Sequence, residues 1–268
     1  SDSPRASIIV PVFNKVAYTA ACLESITEHA GPVDFEVIVV DDCSADRTAE
    51  FLANCKGVHV VKNAENSGFI ASCNAGAAQA KGEFLVFLNN DTTVTEGWLE
   101  RLLDTFADFP EAGVVGARLA YPNGRLQEAG GIIFSDASGW NYGRNEDPAQ
   151  PQYNFTSEAD YVSGACLAIP RAFFEELDGF DSHYAPAYYE DTDLCFRVRQ
   201  HGRKVYCQPA CTIIHHEGVS SGTDESSGTK RYQAINRDKF RERWAEALKR
   251  QPQHSIDTDR PDPVRRAR

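Results

Sequence analysis

Four groups of side chains in this sequence could carry chemistry. Asp91 follows Asn89 and Asn90 at the end of the apolar run 84–88. A carboxylate fixed to a rigid buried strand suits a hard divalent cation such as Mn2+ or Mg2+. The same residues equally suit a turn and helix cap, and spacing alone does not separate the two. Asp41 and Asp42 close a second apolar run, 35–40, and Phe13 and Asn14 close the first, 7–12. His215 and His216 end another strand-like segment. Neighbours on a strand face opposite ways, so at most one of the two rings is expected at a site shared with Asp91. Tyr188 to Asp193 (YYEDTD) opens a helix. Its acids fit the helix dipole, which is the plain explanation. The sharper one is that Glu190 or Asp191 projects into a cleft as a general base, its ionised form favoured by the dipole.

A fifth group is weaker. Cys207, Cys211, His215 and His216 have zinc-like residue types. A structural zinc needs four converging ligands, and alternation along two strand-like segments works against that. The eight cysteines are scattered, which fits free thiols in a reducing compartment.

The elements that must position these groups alternate. Apolar runs at 7–12, 35–40, 58–61, 84–88 and 113–119 read as buried strands. Helical patterns at 15–28, 46–54, 67–80 and 96–106 separate them, with Asp46 as an N-cap. That order predicts an α/β fold with a mostly parallel sheet covered on both faces. Ligands of such sheets bind beyond the carboxyl ends of the strands, where Phe13, Asp42 and Asp91 would share one rim. No Gly-rich phosphate loop is present, so a bound diphosphate would need a cation. From about 120 to 153 the pattern gives way to Gly, Asn, Pro and aromatics, read as loops and short strands over a site. A strand at 161–169, helices at 171–177 and 189–200, and strands at 204–207 and 212–215 follow. Residues 218–228 read as mobile, and 232–248 as one amphipathic helix. The division expected is a single domain, 1–250, in two halves (1–119 and 120–228) followed by a C-terminal helix (229–250). A disordered tail is expected over 251–268.

Composition narrows the function. The chain has 268 residues, with 39 acids against 27 bases and a net charge of −12. That disfavours nucleic acid as a partner. No apolar run is long enough to span a bilayer. Methionine is absent, which suggests a piece of a longer polypeptide.

Taken together the motifs become specific. PVFNK, VIVVDDCSADRT, NSGFIASCNAGAAQAKGEFLVFLNNDT, VSGACLAIPRAFFEELDGFD, YYEDTDLCFRVRQHG and HHEGVSS occur in this order. Over residues 7–221 the chain resembles family 2 of the glycosyltransferases, inverting enzymes with the GT-A fold. Within that family it is similar to bacterial enzymes of O-antigen and capsule polysaccharide synthesis, rhamnosyltransferase-like members included. The resemblance implies that Pro11, Val12, Phe13, Asn14, Asp41 and Asp42 hold the nucleotide. Asn66 and Gly68 match a loop near it. Asn89, Asn90 and Asp91 match the Asp-x-Asp motif, with Asp91 on the metal and Asn89 replacing the usual first acid. Asp191 matches the catalytic base, with Glu190 beside it among the donor-binding residues. Gly164 and Ala165 would face the sugar. His215, or His216 in its place, would sit at the metal or diphosphate.

The reaction implied is transfer of a sugar from a UDP- or dTDP-sugar to a hydroxyl of a saccharide or lipid-linked saccharide. The place implied is the cytoplasm. The C-terminal helix, where basic residues interleave with Phe240 and Trp244, fits a peripheral contact at the inner face of the cytoplasmic membrane or, as the plainer reading, a packed amphipathic helix with a solvated face. Two other classes compete. One is a non-catalytic nucleotide- or carbohydrate-binding module of the same fold. The other is a nucleotidyltransferase, which would want a basic phosphate loop where PVFNK stands.

Overall fold

The computed structural model describes residues 3–216 and 231–254. The first half alternates as the apolar runs predict: β1 (Ala6–Val12), α1 (Val16–Glu28), β2 (Phe35–Asp41), α2 (Thr48–Asn54), β3 (Val58–Lys62), α3 (Gly68–Gln79) and β4 (Phe84–Leu88). A short β5 (Thr92–Val94), α4 (Trp98–Asp108) and β6 (Ala112–Ala120) complete it. Short strands then fill the aromatic, Gly-rich region: β7 (Leu126–Glu128), β8 (Gly131–Ile133), β9 (Gly139–Asn141) and β10 (Ser157–Glu158). The chain closes with β11 (Cys166–Pro170), α5 (Arg171–Glu176), α6 (Glu190–Gln200), β12 (Lys204–His215), α7 (Tyr232–Arg243) and α8 (Ala245–Leu248).

The main sheet runs β10-β12-β6-β11-β4-β1-β2-β3. The pairs β1–β2, β1–β4, β2–β3 and β12–β6 are parallel, while β11 runs antiparallel to both β4 and β6. Strand alternation splits the core in two. In β1, Ile8 and Val10 face a core shared with α1 and α4, and Ile9 faces one shared with α3 and α6. Helices therefore cover both faces, as continuous apolar strands require.

Several elements differ from expectation. The strand expected at 161–169 begins only at Cys166. Residues 163–165 leave the ladder to turn beneath the site. The two strands expected at 204–207 and 212–215 are one, carried past Pro209 by a register shift between Gln208 and Thr212. The helix expected at 232–248 breaks at Trp244, whose indole N–H donates to Asp193 Oδ1 at 2.8 Å. The N-cap of α2 is Arg47 rather than the expected Asp46, because the helix starts two residues later than expected; Asp46, one residue before that cap, still accepts from Thr48 N at 3.0 Å.

The segment expected to be mobile, 218–228, lies outside the described residues. So does the expected tail from 255 onward. Residues 251–254 are described, and Pro252 O accepts from Ser135 N at 2.9 Å. Among the described residues no helix is long and apolar enough to cross a membrane.

Candidate active site

The carboxyl ends of β1, β2 and β4 meet at one rim, around a cavity of about 300 Å³. Pro11, Val12 and Phe13 line it from β1. Phe13 is 44% exposed, an unusual position for a bare phenyl ring and one that offers a stacking face. Asn89, Asn90 and Asp91 line it from the end of β4, and Asp42, Asn66 and Gly68 from the side.

Asp42 organises that side. Its Oδ1 accepts from Ser67 N at 2.8 Å and from Asn63 Nδ2 at 2.7 Å, and its Oδ2 accepts from Gly68 N at 2.8 Å. A buried carboxylate that takes several donors is well satisfied and shapes the loop around it. Gly68 has φ +85°, and a Cβ there would lie 2.8 Å from Pro186 Cβ. Only glycine fits that backbone and that approach. Pro186 and Ala187 form the facing wall, with Phe69 and Ser72 beside them. Sequence reasoning did not reach these four or Asn63. Pro186 and Ala187 arrive from a segment with no periodicity to mark it.

Asn14 and Asp41 lie next to this cavity without lining it. Asn14 Oδ1 accepts from Ala45 N and Asp46 N, and Asp41 Oδ1 accepts from Ser44 N. Both brace the loop that follows β2.

The end of β12 brings His215 to Asp91. Its Nε2 lies 3.3 Å from Asp91 Oδ1. His216 turns the other way, its ring edge-on to Tyr18 at 5.4 Å, while its N–H donates to Asp91 O at 2.9 Å. Strand alternation thus separates the two histidines. Asp91 Oδ1 and Asn89 Oδ1 are buried and accept no hydrogen bond. Buried oxygens without donors are costly unless something positive meets them. Two ligands about 2.1 Å from an octahedral cation, and adjacent on it, lie roughly 3 Å apart. The donor set therefore fits a divalent ion. Among the described residues no group of three or more His, Cys, Asp or Glu converges, so the remaining ligands would come from water or substrate. Cys207 and Cys211 do not join His215, since they pack into the two separate cores on opposite faces.

Asp191 sits in the first turn of α6. Its Oδ2 accepts from Gly164 N at 2.9 Å and its Oδ1 from Thr192 N at 2.7 Å. A Cβ on Gly164 would lie 3.4 Å from Phe69 and 3.7 Å from Asp191 Cβ. Gly164 thus connects the wall residue Phe69 to the carboxylate. Burial raises the Asp191 pKa, against the lowering effect of these hydrogen bonds. Burial, then the charge of Asp191, pushes Glu190 well above its ordinary value. Glu190 Oε2 is buried without a partner. Burial thus presses harder on Glu190 than on Asp191, whose charge the hydrogen bonds from Gly164 and Thr192 support.

The third acid of that turn has a different task. Asp193 is fully buried, bonded by Arg197 Nε at 2.7 Å, Tyr184 Oη at 3.1 Å and Trp244 Nε1. Asn236 on α7 donates to the carbonyls of Tyr184, Ala187 and Tyr188. These contacts fix the wall and the start of α6.

A family model described as glycosyl transferase family 2 matches residues 7–177, more than half of the chain. The chain belongs to glycosyl transferase family 2. O-antigen biosynthesis protein RfbC of Myxococcus xanthus is 32% identical to this family 2 chain over 233 residues, 83% of it and 18% of that protein. An uncharacterized protein, y4gI of Sinorhizobium fredii, is 30% identical over 254 residues, 90% of this chain and 28% of that one. The chain spans less than a third of the length of either. Among solved structures, GalNAc-T7 with UDP, GalNAc and Mn2+ superposes with a TM-score of 0.73 at 17% identity, covering 92% of this chain and 50% of that one. The mannosyltransferase PcManGT of Pyrobaculum calidifontis, solved with GDP-Man and Mn2+, gives 0.62 at 20% identity, covering 97% and 67%. At such identities the match concerns the fold, which is the GT-A arrangement of family 2.

Proposed function

We infer that this family 2 chain transfers a sugar, with inversion, from a nucleoside diphosphate sugar to a hydroxyl of a saccharide acceptor. The observation that carries this reading is Asp191. A hydrogen-bonded, buried carboxylate stands beyond Phe69 and Gly164 from the cavity that Asp91 lines. A protein that only bound a sugar or a nucleotide would gain nothing from the buried Glu190–Asp191 pair.

In this reading Phe13 stacks on the base, and Asp42 with the 66–68 loop frames the nucleoside. A pyrimidine fits, as UDP or dTDP. Asp91 and His215 would hold Mn2+ or Mg2+, which when bound offsets the negative charge that builds on the departing diphosphate. Asp191 orients the acceptor hydroxyl and accepts its proton as that oxygen attacks the anomeric carbon. Glu190, kept protonated, leaves the negative charge of the pair on Asp191. Gly164 has no side chain to fill the space where sugar and acceptor meet.

The name of the M. xanthus relative supports a role in surface polysaccharide synthesis. An acceptor carried on a lipid would draw the protein to the inner face of the cytoplasmic membrane. Flotation with anionic vesicles tests that contact. The reaction itself is tested by a panel of UDP- and dTDP-sugars with saccharide acceptors, read by release of the free diphosphate. One donor giving acceptor-dependent release supports the reading. Binding of a donor with no turnover on any acceptor returns the chain to a binding module.

A further inference from the structure

Asp91 and His215 meet, yet neither holds the other by a good hydrogen bond. What orients the imidazole lies on its far side. His215 Nδ1 is 2.9 Å from Oε1 of Gln127, and Gln127 is 2% exposed. An amide oxygen only accepts, so this contact places the ring proton on Nδ1. The neutral ring then keeps its lone pair on Nε2, facing Asp91 Oδ1 at 3.3 Å. That oxygen accepts no hydrogen bond. Two lone-pair atoms this close, with no proton between them, are an arrangement that a cation relieves.

The backbone also sets Gln127 apart. β7 pairs with β6 through Leu119 opposite Glu128 and Ala120 opposite Leu126, with a register shift between them. Gln127 is the extra residue in that irregularity. A bulge re-aims one side chain out of the regular alternation. Here the re-aimed side chain is the one that reaches His215 on β12, two strands away across β6.

We propose that Gln127 is a positioning residue that fixes His215 in its Nδ1–H tautomer, so that Nε2 and Asp91 Oδ1 together face a divalent cation. The inference rests on the metal reading of the site given above. The opposite arrangement would have the Gln127 amide nitrogen donating to Nδ1. The ring proton would then sit on Nε2 and bond Asp91, leaving a neutral structural pair.

Long-range proton–nitrogen correlation on 15N-histidine protein without metal separates the two. The His215 signals are assigned by their loss in His215→Ala. The expected result is the Nδ1–H tautomer in the parent protein and a loss of that preference in Gln127→Leu. An Nε2–H tautomer in the parent overturns the proposal, whatever the variants do. Mn2+ affinity is then measured by electron paramagnetic resonance with UDP present. Gln127→Leu is expected to weaken it by about 10–100-fold. Gln127→Glu, which keeps an acceptor at the same place, is expected to restore most of it, and this rescue excludes simple misfolding. A parent that binds Mn2+ no better than Gln127→Leu does overturns the role of Gln127 alone. A parent that binds no Mn2+ overturns the metal reading and this proposal with it.

Discussion

Asp191 follows Glu190 directly, and both of its carboxylate oxygens accept backbone hydrogen bonds, Oδ2 from Gly164 and Oδ1 from Thr192. Glu190 Oε2 receives none. One turn of helix thus gives two adjacent carboxyl groups different surroundings. Asp191→Asn should lower transfer by about 10²–10⁴-fold, the usual worth of a general base. Nucleoside diphosphate affinity, measured by calorimetry, should stay within about twofold, because Asp191 does not line the cavity at the sheet rim. A variant as active as the parent in a transfer assay refutes the assignment.

The same pair costs stability. Both pKa values are raised by burial. Between the ordinary and the raised values the folded chain holds more protons than the unfolded one, so stability falls as pH rises through that window. Glu190→Gln removes the larger share. It should raise the melting temperature around pH 8, by about 2–4 °C for each kcal/mol recovered. The gain should shrink around pH 4, where the parent glutamate is protonated in both states. A constant gain across pH would assign the effect to packing rather than to charge.

Metal dependence should concentrate at Asp91. Mn2+ is expected to tighten binding of UDP or dTDP, and Asp91→Ala to remove that enhancement while leaving binding of the nucleoside alone. Calorimetry with and without chelator reads both. Diphosphate affinity indifferent to metal in the parent would remove the ion from the site.

Two glycines should respond in opposite ways. Gly68→Ala forces a side chain into left-handed backbone and against Pro186. It should cost about 1–3 kcal/mol in denaturant unfolding and loosen nucleotide binding. Gly164→Ala meets only ordinary contacts, with Phe69 and Asp191. It should fold normally and lose turnover, since the methyl enters the space reserved for the reacting groups. Equal unfolding midpoints for the two variants would contradict the account.

The rim of the sheet was legible because apolar runs ending in Asn or Asp announce buried strands with polar carboxyl ends. Pro11–Phe13, Asp42 and Asn89–Asp91 follow directly from that logic. The choice between His215 and His216 was left open by the residues, and the pairing of β12 with β5 goes with His215, not His216, beside Asp91. The wall residues Pro186 and Ala187 were not legible, because Asn236, far along the chain, holds them. Gln127 was invisible for the same kind of reason, since its partner is chosen by sheet order and a bulge rather than by any local pattern. Asp193 was grouped with its neighbours as a dipole-favoured acid. Its tie to Arg197 fits helical spacing, but its tie to Trp244 depends on the tertiary fold.

The latch from Asn236 onto the segment before α6, and from Trp244 onto its first turn, bears on how this unit could be exchanged. The family match stops at residue 177, short of Asp191 and of both latch residues. A graft cut there would carry the rim with Asp42 and Asp91 and leave Asp191 behind. One cut after β12 would include Asp191 but free the turn that aims it. The smallest transplantable unit therefore runs past Trp244. Any recombination that shuffles such units among longer proteins must respect that boundary.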